Sequence, residues 1–281
     1  MNRIILLLGI LVLPLTCFAQ VQIRYAETDA QGDQFVIGAL KLALEKSGAK
    51  FRMEPIRENL SEGRKRTLLS EGNMEVYWSM TSSELEDKFE PVRFPVYKGL
   101  LGNRIFIIRQ GEQHRYDAIN TFADLQRFTA GQGKLWPDTQ ILQSGNITVR
   151  TTMDYENLFY MLEGGRFDYF PRGIHEPFQE VEARPELNLV VEDNLMLVYR
   201  APMYFFVRKD NKQLAERIHQ GLDKALEDGS FDEFFFSNAM IQDVLSKANI
   251  KQRNVFFISN PLLTPQTPLD RKEYWLNIED L

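Results

Sequence analysis

The chain contains little cysteine and little histidine. Cys17 is the one cysteine in 281 residues, and there are three histidines. One cysteine cannot form an internal disulfide, and His114, His175 and His219 do not show the spacing of a zinc site. The sequence also has no phosphate-binding glycine loop and no Gly-x-Ser-x-Gly nucleophile motif. We therefore expect no metal, no cofactor and no catalysis of these common kinds.

Long apolar runs and excess positive charge are also absent after the first residues. No stretch beyond the N-terminus reaches the ~18 apolar residues that a membrane helix needs. The net charge of −6 disfavours a nucleic-acid partner, which would require a basic surface. With 44% hydrophobic and 26% charged residues, the composition is that of an ordinary globular protein, expected to be a monomer.

Residues 1–19 have the pattern of a secretory signal peptide. Arg3 precedes an apolar stretch over residues 4–15, which is too short to span a bilayer. Cys17 and Ala19 occupy the two small-residue positions, so we expect cleavage after Ala19 and a periplasmic protein. A membrane anchor or a lipoprotein attached through Cys17 are the alternatives.

Strand and helix patterns alternate from residue 21 onward. Strands are predicted over residues 21–26, 51–56 and 75–80, with helices over 33–47 and 59–71 between them. This alternation predicts a parallel sheet with helices on both faces. Ligands of such sheets lie beyond the carboxyl ends of the strands, here near residues 27–29 and 79–83.

A second strand–helix unit occurs over residues 203–236. An apolar strand over 203–207 precedes a helix over 211–227 whose apolar residues recur every four positions. Gly229 then provides a left-handed cap, and Ser230 begins a short aromatic helix. Near the middle of the chain, residues 130–133 (Ala-Gly-Gln-Gly) are expected to open a further helix.

These segments, in this order, resemble bacterial periplasmic solute-binding proteins of family 3. The resemblance rests on residues 203–236, on Thr81 and the two serines that follow it, on residues 94–97 and on the Gly-Arg-x-Asp turn at 165–168. It covers about residues 21–240. It implies an α/β, two-lobed type II periplasmic-binding-protein-like fold, in which each lobe is a mixed sheet flanked by helices. Two crossing strands, near 103–109 and 199–207, would form the hinge.

The resemblance also implies a division of the chain. Lobe 1 would comprise residues 20–103 and 200–281, and lobe 2 residues 104–199. Residues 241–281 extend beyond the family's minimum, with a possible added strand over 255–258 and an expected packing on lobe 1.

The sequence departs from the family at both positions that hold a free amino acid. No arginine follows Thr81 closely, and Arg172 stands after the 169–171 strand where the family has an aspartate. Because a buried ligand charge needs a fixed opposite charge, a standard α-amino acid is a doubtful ligand.

Six residues are the candidate ligand-binding set. Arg172 would grip an anionic or strongly polar group, since its planar guanidinium suits a carboxylate or phosphate. Gly133 and Gln132 would offer donors at a helix start, and Trp136 would wall the cleft, with Thr81 and Glu27 closing from lobe 1. The alternatives are a salt bridge of Arg172 to Glu176 or Glu180, an ordinary turn at Gly133 and a core role for Trp136.

The function that this resemblance implies is capture of a small ligand by hinge closure, for an ABC permease or a membrane sensor. Two alternatives stay open: a dehydratase-like enzyme on the same scaffold, with Glu27 or Glu176 as base, and a sensory or accessory protein that docks on a membrane partner.

Overall fold

A computed structural model describes residues 21–28, 30–58 and 60–276. The predicted signal peptide, residues 1–19, lies outside these described residues. Within them, no helix combines the length and the apolar character needed to cross a membrane.

The described residues form strands and helices in alternation. The strands are β1 (Val21–Ala26), β2 (Phe51–Ile56), β3 (Tyr77–Met80), β4 (Phe89–Val92), β5 (Asn103–Arg109), β6 (Thr129–Gly133), β7 (Thr148–Thr152), β8 (Phe170–Gly173), β9 (Leu189–Val191), β10 (Leu195–Val198), β11 (Met203–Arg208) and β12 (Asn254–Phe257). The helices are α1 (Gln31–Lys46), α2 (Glu62–Glu71), α3 (Ser83–Lys88), α4 (Gln113–Asp117), α5 (Phe122–Leu125), α6 (Pro137–Ser144), α7 (Glu156–Glu163), α8 (Pro177–Glu182), α9 (Lys212–Glu227), α10 (Ser230–Ser237) and α11 (Ala239–Lys247).

One group of elements, here called lobe 1, contains β1 to β4, β11 and the helices α1, α2 and α9. Strand β1 pairs in parallel with β2, whereas β11 lies between β3 and β4 with antiparallel pairing on both sides. Helix α9 packs closely on α1, where a Cβ on Gly221 would lie 1.8 Å from the Ala43 carbonyl oxygen. Glycine at this position therefore sets the spacing of the two helices.

The expected parallel sheet of β1, β2 and β3 is only partly present. The backbone N–H groups of Glu75 and Val76 donate to the Arg24 carbonyl of β1, but residues 77–80 then pair antiparallel with β11. Strand β11 returns to lobe 1 and pairs with β3 through residues 203–206, so that the pairing of β3 becomes antiparallel. The sequence pattern of the first three strands contains no information about this later strand.

The second group, here called lobe 2, contains β5 to β10. Its main sheet has the order β12-β10-β5-β8, with β9 also paired to β5. Strands β6 and β7 pair in parallel, and Ala130 of β6 forms a bridge to Tyr169 beside β8. Each lobe thus carries mixed sheets flanked by helices, as the sequence predicted.

The helix expected to open at residues 130–133 is a strand instead, and this prediction is wrong. Gly131 and Gly133 belong to β6, and α6 begins only at Pro137. A Cβ on Gly131 would lie 2.1 Å from the Phe167 ring, and one on Gly133 would lie 2.5 Å from the Trp136 indole. The glycines therefore leave room for aromatic rings.

The lobes join where β5 begins and β10 ends. The Tyr199 N–H donates to the Gly102 carbonyl at 3.0 Å, and a Cβ on Gly102 would lie 1.9 Å from the Tyr199 carbonyl oxygen. The two chain crossings are therefore in direct backbone contact, which makes this junction the place for a hinge.

The C-terminal extension differs from the expected packing on lobe 1 alone. Strand β12 pairs in parallel with β10 of lobe 2. The chain then returns to lobe 1, where the Leu262 carbonyl accepts from the Ser83 N–H at 3.0 Å and the Leu276 N–H donates to the Lys98 carbonyl at 2.7 Å. The extension thus contacts both lobes.

Candidate functional site

A cavity of about 810 Å³ lies between the two lobes. Lobe 1 lines it with the start of α1, with α2 and with residues 78–80, and lobe 2 lines it with β5, the start of α6 and the region from β8 to α8. The charged and aromatic side chains of the lining include Asp33, Trp78, Arg104, Trp136, Asp138, Tyr155, Arg172, His175, Glu176 and Glu180. The volume is in the range of pockets that enclose small molecules.

The lobes touch across this cavity at several points. The Tyr97 ring of lobe 1 stacks on the His175 ring of lobe 2 with 4.2 Å between the centroids. At the rim, Gln179 donates to Gln31, and Arg66 Nη2 donates to the Leu135 carbonyl at 3.2 Å. The structure therefore shows the cleft with its lobes in contact.

Arg172 lies on the cavity wall, but carboxylates already occupy its guanidinium. Its Nη2 donates to Glu176 at 2.7 Å and to Glu180 at 2.6 Å, and its Nε donates to Glu180 at 2.8 Å. Burial alone lowers the pKa of Arg172, but the two carboxylates outweigh burial and hold this pKa above its usual value. The ion pair that the sequence left as the alternative is therefore present, with a buried guanidinium and two partly buried carboxylates.

Trp136 also lines the cavity and forms part of an aromatic enclosure around Arg172. The guanidinium carbon lies 5.0 Å from the Trp136 ring, 5.6 Å from Tyr155 and 4.9 Å from Phe170. Cation–π contacts of this kind stabilise a desolvated guanidinium. These ring contacts also hold the Arg172 guanidinium against the cavity wall.

The other four candidates lie outside the cavity lining. Thr81 is buried and donates to Glu86 at 2.8 Å, and Glu27 accepts from Arg57 at 2.9 Å. Gln132 is buried within lobe 2 and donates to the Pro171 carbonyl at 3.0 Å, while the Gly133 carbonyl accepts from Thr139. These contacts are internal to the fold, so a ligand role for the four residues stays a prediction that the cavity geometry does not favour.

The charge of the cavity wall is predominantly negative. Seven carboxylates line it, against four lysine and arginine side chains. Among the described residues, no lysine or arginine forms an ion pair with Asp33. This carboxylate accepts from the Trp78 indole N–H at 2.7 Å and from the Thr28 hydroxyl, which fixes its position at the start of α1. Within the described residues, Asp33 is therefore an oriented carboxylate with no direct ion pair, and Lys65 of the cavity wall acts on it only from a greater distance.

Arg104 lies at the base of the cavity in a second buried cluster. Its Nη2 lies 2.5 Å from Asp138 Oδ1 and its Nη1 3.5 Å from Glu176 Oε2. Tyr199, whose ring lies 5.5 Å from the Arg104 guanidinium carbon, donates its hydroxyl to Asp138. Arg104 directly precedes the apolar run of β5. Its charge was the sequence signal for this cluster, because charged residues are rarely buried without a partner.

His175, like Asp33 and Arg104, lines the cavity but was not among the candidate residues of the sequence analysis. It follows β8 by two positions and is buried against Tyr97. Burial, with the nearby Arg104 and Arg172 guanidinium groups acting in the same direction, lowers the pKa of His175 to about 3. The imidazole is therefore neutral at physiological pH. In the sequence, His175 shows no metal-ligand spacing to another histidine, and nothing in the sequence indicated a buried, neutral imidazole at this position.

This lowered pKa makes the folded state less stable in acid. In the unfolded chain His175 binds a proton below its ordinary pKa of 6.5, whereas in the folded protein it does so only near 3. The contribution of His175 to the free energy of unfolding is therefore fully present above pH 6.5. It decreases by about 1.4 kcal/mol per pH unit between pH 6.5 and 3. His175→Phe, which keeps an aromatic ring over Tyr97, is expected to reduce the stability change between pH 7 and pH 5 by about 2 kcal/mol in chemical denaturation.

The exposed His114 provides the control for this measurement. His114→Phe removes a histidine from the surface helix α4 and is expected to leave the pH dependence unchanged. His219 also has a pKa lowered by burial, so each variant is compared with the unaltered protein. An equal pH dependence for His175→Phe and the unaltered protein would show that His175 is not held neutral.

No protein-family model and no curated relative matches the chain. Solved structures do match. An amino-acid ABC transporter substrate-binding protein from Streptococcus pneumoniae, bound to L-arginine, is 16% identical with a TM-score of 0.57, over 81% of this chain and 97% of that one. A histidine kinase sensor domain similar to periplasmic binding proteins is 12% identical with a TM-score of 0.56, over 79% and 96%.

A third similar structure is an ancestral amino-acid-binding protein, a precursor of cyclohexadienyl dehydratase. It is 16% identical with a TM-score of 0.54, over 77% of this chain and 95% of that one. At such identities the likeness concerns the backbone. In the described ranges, no group of three or more His, Cys, Asp or Glu side chains is placed to hold a metal ion.

The coverage and TM-scores of these three structures concern the fold. By this likeness, the chain has the two-lobed α/β fold of the family 3 type of periplasmic binding protein, as its sequence resemblance implied.

Proposed function

We propose that this protein is a solute-binding protein that closes its two lobes on one small ligand. The observation that supports this best is the 810 Å³ cavity, which receives lining residues from both lobes. A ligand that contacts both walls stabilises the closed arrangement over the open one, because it binds the closed form more tightly. The lobe boundaries near residues 103 and 199, with the extension contacting both lobes, belong to this proposal.

The ligand that fits the wall carries positive charge. This changes the expectation from the sequence, in which Arg172 grips an anion. Arg172 is already neutralised by Glu176 and Glu180, and an added anion would face a wall with more carboxylates than cations. A ligand ammonium or guanidinium group, in contrast, would supply the direct ion pair that Asp33 lacks within the described residues.

Delivery of the ligand to an ABC permease or to a membrane sensor is the proposed purpose of binding, with the mature protein in the periplasm. Both uses occur among the similar structures, one of which serves an ABC transporter and one a histidine kinase. A pull-down from membranes with a ligand-saturated sample, analysed for a permease or a kinase, distinguishes the two.

The two carboxylates named as bases for the dehydratase alternative, Glu27 and Glu176, are both engaged by other groups. Glu27 lies outside the cavity lining and pairs with Arg57. Glu176 accepts from the Gly173 N–H at 2.6 Å and from Arg172, and it lies near Arg104. A carboxylate held by three donors is poorly suited to abstract a proton, so we propose binding without a reaction.

Asp33→Asn is expected to weaken binding of a cationic ligand by at least about tenfold, because the charge partner is lost. Asparagine keeps an oxygen that can accept from the Trp78 indole, and its amide N–H can donate to the Thr28 hydroxyl oxygen, so the loss of charge is the main change. Isothermal titration calorimetry with the tightest cationic compound from a metabolite screen measures the effect.

Glu27→Gln is the matched control, since it neutralises a carboxylate of lobe 1 that lies outside the cavity lining. It is expected to bind within about twofold of the unaltered protein. Equal affinities for Asp33→Asn and Glu27→Gln would contradict the role of Asp33.

A further inference from the structure

Within the described part of lobe 2, three buried side-chain nitrogens have no hydrogen-bond partner: Arg104 Nε, Arg104 Nη2 and His175 Nδ1. Arg104 Nη2 forms the ion pair with Asp138, which leaves Arg104 Nε and His175 Nδ1 without a partner. Arg104 is 2% exposed and His175 is 5% exposed, and both side chains line the cavity. Buried polar groups are almost always paired, so two unpaired nitrogens on one cavity wall are suited to hydrogen-bond a group that enters the cavity.

The two side chains lie side by side. Arg104 of β5 pairs across the sheet with Gly173 of β8, and His175 follows Gly173 by two residues. The His175 Cε1 atom lies 3.0 Å from the position that a Cβ on Gly173 would take. The two side chains therefore lie on the same part of the cavity wall, where the Arg104 guanidinium acts on the His175 imidazole.

The positive charge of Arg104 is already balanced. Asp138 and Glu176 lie beside its two terminal nitrogens, at 2.5 and 3.5 Å. A ligand carboxylate placed at Arg104 would therefore add a further negative charge next to two others. The free Nε–H calls for a hydrogen-bond acceptor rather than for a counterion.

His175 places a second condition on the ligand group. As a neutral imidazole, its Nδ1 either accepts or donates, depending on the tautomer. A carboxamide satisfies both tautomers, because it carries a carbonyl oxygen and N–H groups, and a hydroxyl does so as well. A carboxylate satisfies only the tautomer that donates.

Resting on the proposed function, we propose that Arg104 Nε and His175 Nδ1 form a subsite for an uncharged oxygen group of the ligand, a carboxamide or a hydroxyl. The ligand class is then a small cation with such a group at its other end. The cation lies towards Asp33 and the neutral group towards Arg104 and His175. This class differs from free α-amino acids, whose carboxylate is charged.

Three related probes separate the possible groups at this subsite. L-argininamide carries a carboxamide, L-arginine carries a carboxylate in its place, and agmatine has neither. By calorimetry, L-argininamide is expected to bind at least about tenfold more tightly than each of the others, because an unpaired buried donor or an added charge penalises them. Equal or tighter binding of L-arginine, or of agmatine, contradicts the subsite.

His175→Phe tests the residue itself. This variant keeps a ring beside Tyr97 but removes both nitrogens, and it is expected to reduce the preference for L-argininamide over agmatine to about threefold or less. His114→Phe is the control and is expected to keep the full preference. A preference that His175→Phe leaves unchanged contradicts the assignment.

Nitrogen NMR gives a readout that does not depend on affinity. The chain has three histidines, so their ring nitrogens can be assigned individually. Saturation with L-argininamide is expected to shift the ring nitrogens of His175 and to leave those of His114 unchanged. Binding of L-argininamide without a shift at His175 overturns the subsite.

The proposed function and the subsite can fail separately. If no compound of a broad metabolite panel binds, both fail. If another cation binds in an Asp33-dependent manner while L-argininamide does not bind, the solute-binding function stands and the carboxamide or hydroxyl subsite is refuted.

Discussion

Replacing Arg172 with alanine is expected to destabilise the folded protein by about 3–5 kcal/mol, because it removes a buried cation and leaves two partly buried carboxylates without a partner. Glu180 would lose its hydrogen bonds to Nε and Nη2 of Arg172, and Glu176 would lose its bond to Nη2. The aromatic rings of Trp136 and Phe170 would also face a void in place of the guanidinium. The sequence-based hypothesis that Arg172 grips the ligand predicts, in contrast, a loss of ligand affinity for the same variant.

Urea denaturation followed by circular dichroism measures this loss. Arg150→Ala provides the control, since Arg150 is exposed and forms no ion pair within the described residues, and it is expected to change stability by less than about 0.5 kcal/mol. The double variant Arg172→Met with Glu180→Leu is expected to be more stable than the sum of its single changes predicts, because the pair is removed together. A loss below about 1 kcal/mol for Arg172→Ala would mean that the ion pairs are exposed to solvent in solution.

Replacing Arg253 with alanine is expected to cost a similar amount, again about 3–5 kcal/mol. Arg253 directly precedes β12, and its side chain is buried between the extension and lobe 2. Its Nε donates to the Ala248 carbonyl at 2.6 Å and its Nη1 to the Leu195 carbonyl at 2.9 Å. The same Nη1 lies 3.4 Å from Glu192, which is fully buried.

Arg271→Ala is the matched control within the same extension. Its ion pair with Glu273 is largely exposed, so its loss is expected to cost less than about 1 kcal/mol. Limited proteolysis adds a second readout, because Arg253→Ala is expected to expose the chain near residue 253 to cleavage. A resistant, fully stable Arg253→Ala variant would show that the extension is not anchored through this residue.

The order of strands and helices could be predicted where side-chain periodicity is strong. Leu214, Ile218 and Leu222 of α9 predicted the face that packs on α1, and the structure buries all three. Gly229 has the left-handed conformation, with a φ of 80°, that its predicted capping role requires. In these segments local pattern and tertiary packing favour the same structure.

Two features could not be predicted because they depend on tertiary contacts. Gly131 and Gly133 lie in a strand that pairs with β7, and a Gly-x-Gly pattern reveals neither that pairing nor the Phe167 and Trp136 rings beside the two glycines. Strand β12 was foreseen as an added strand, but its pairing with β10 was not. Pairing between strands this far apart is not encoded in the periodicity of either strand.

The candidate site was predicted in part. Arg172 and Trp136 lie on the cavity wall, and Glu176 and Glu180 were recognised as alternative partners of Arg172. Asp33, Arg104 and His175 were missed, since each gains its position from another element: Asp33 from Trp78, Arg104 from Asp138 and His175 from Tyr97. A single side chain in a sequence does not show which charges remain unpaired after folding.

Thermal denaturation of the purified protein with a panel of small cations, neutral compounds and anions tests the central claim most directly. A cationic compound at a hundred times its dissociation constant is expected to add about 2.7 kcal/mol of stability. For a chain of this size, this corresponds to a rise of roughly 5–10 °C in Tm. Anions are expected to leave the Tm unchanged. A panel in which no compound raises the Tm, or in which only anions raise it, would contradict the proposal that the cleft binds a small cationic solute.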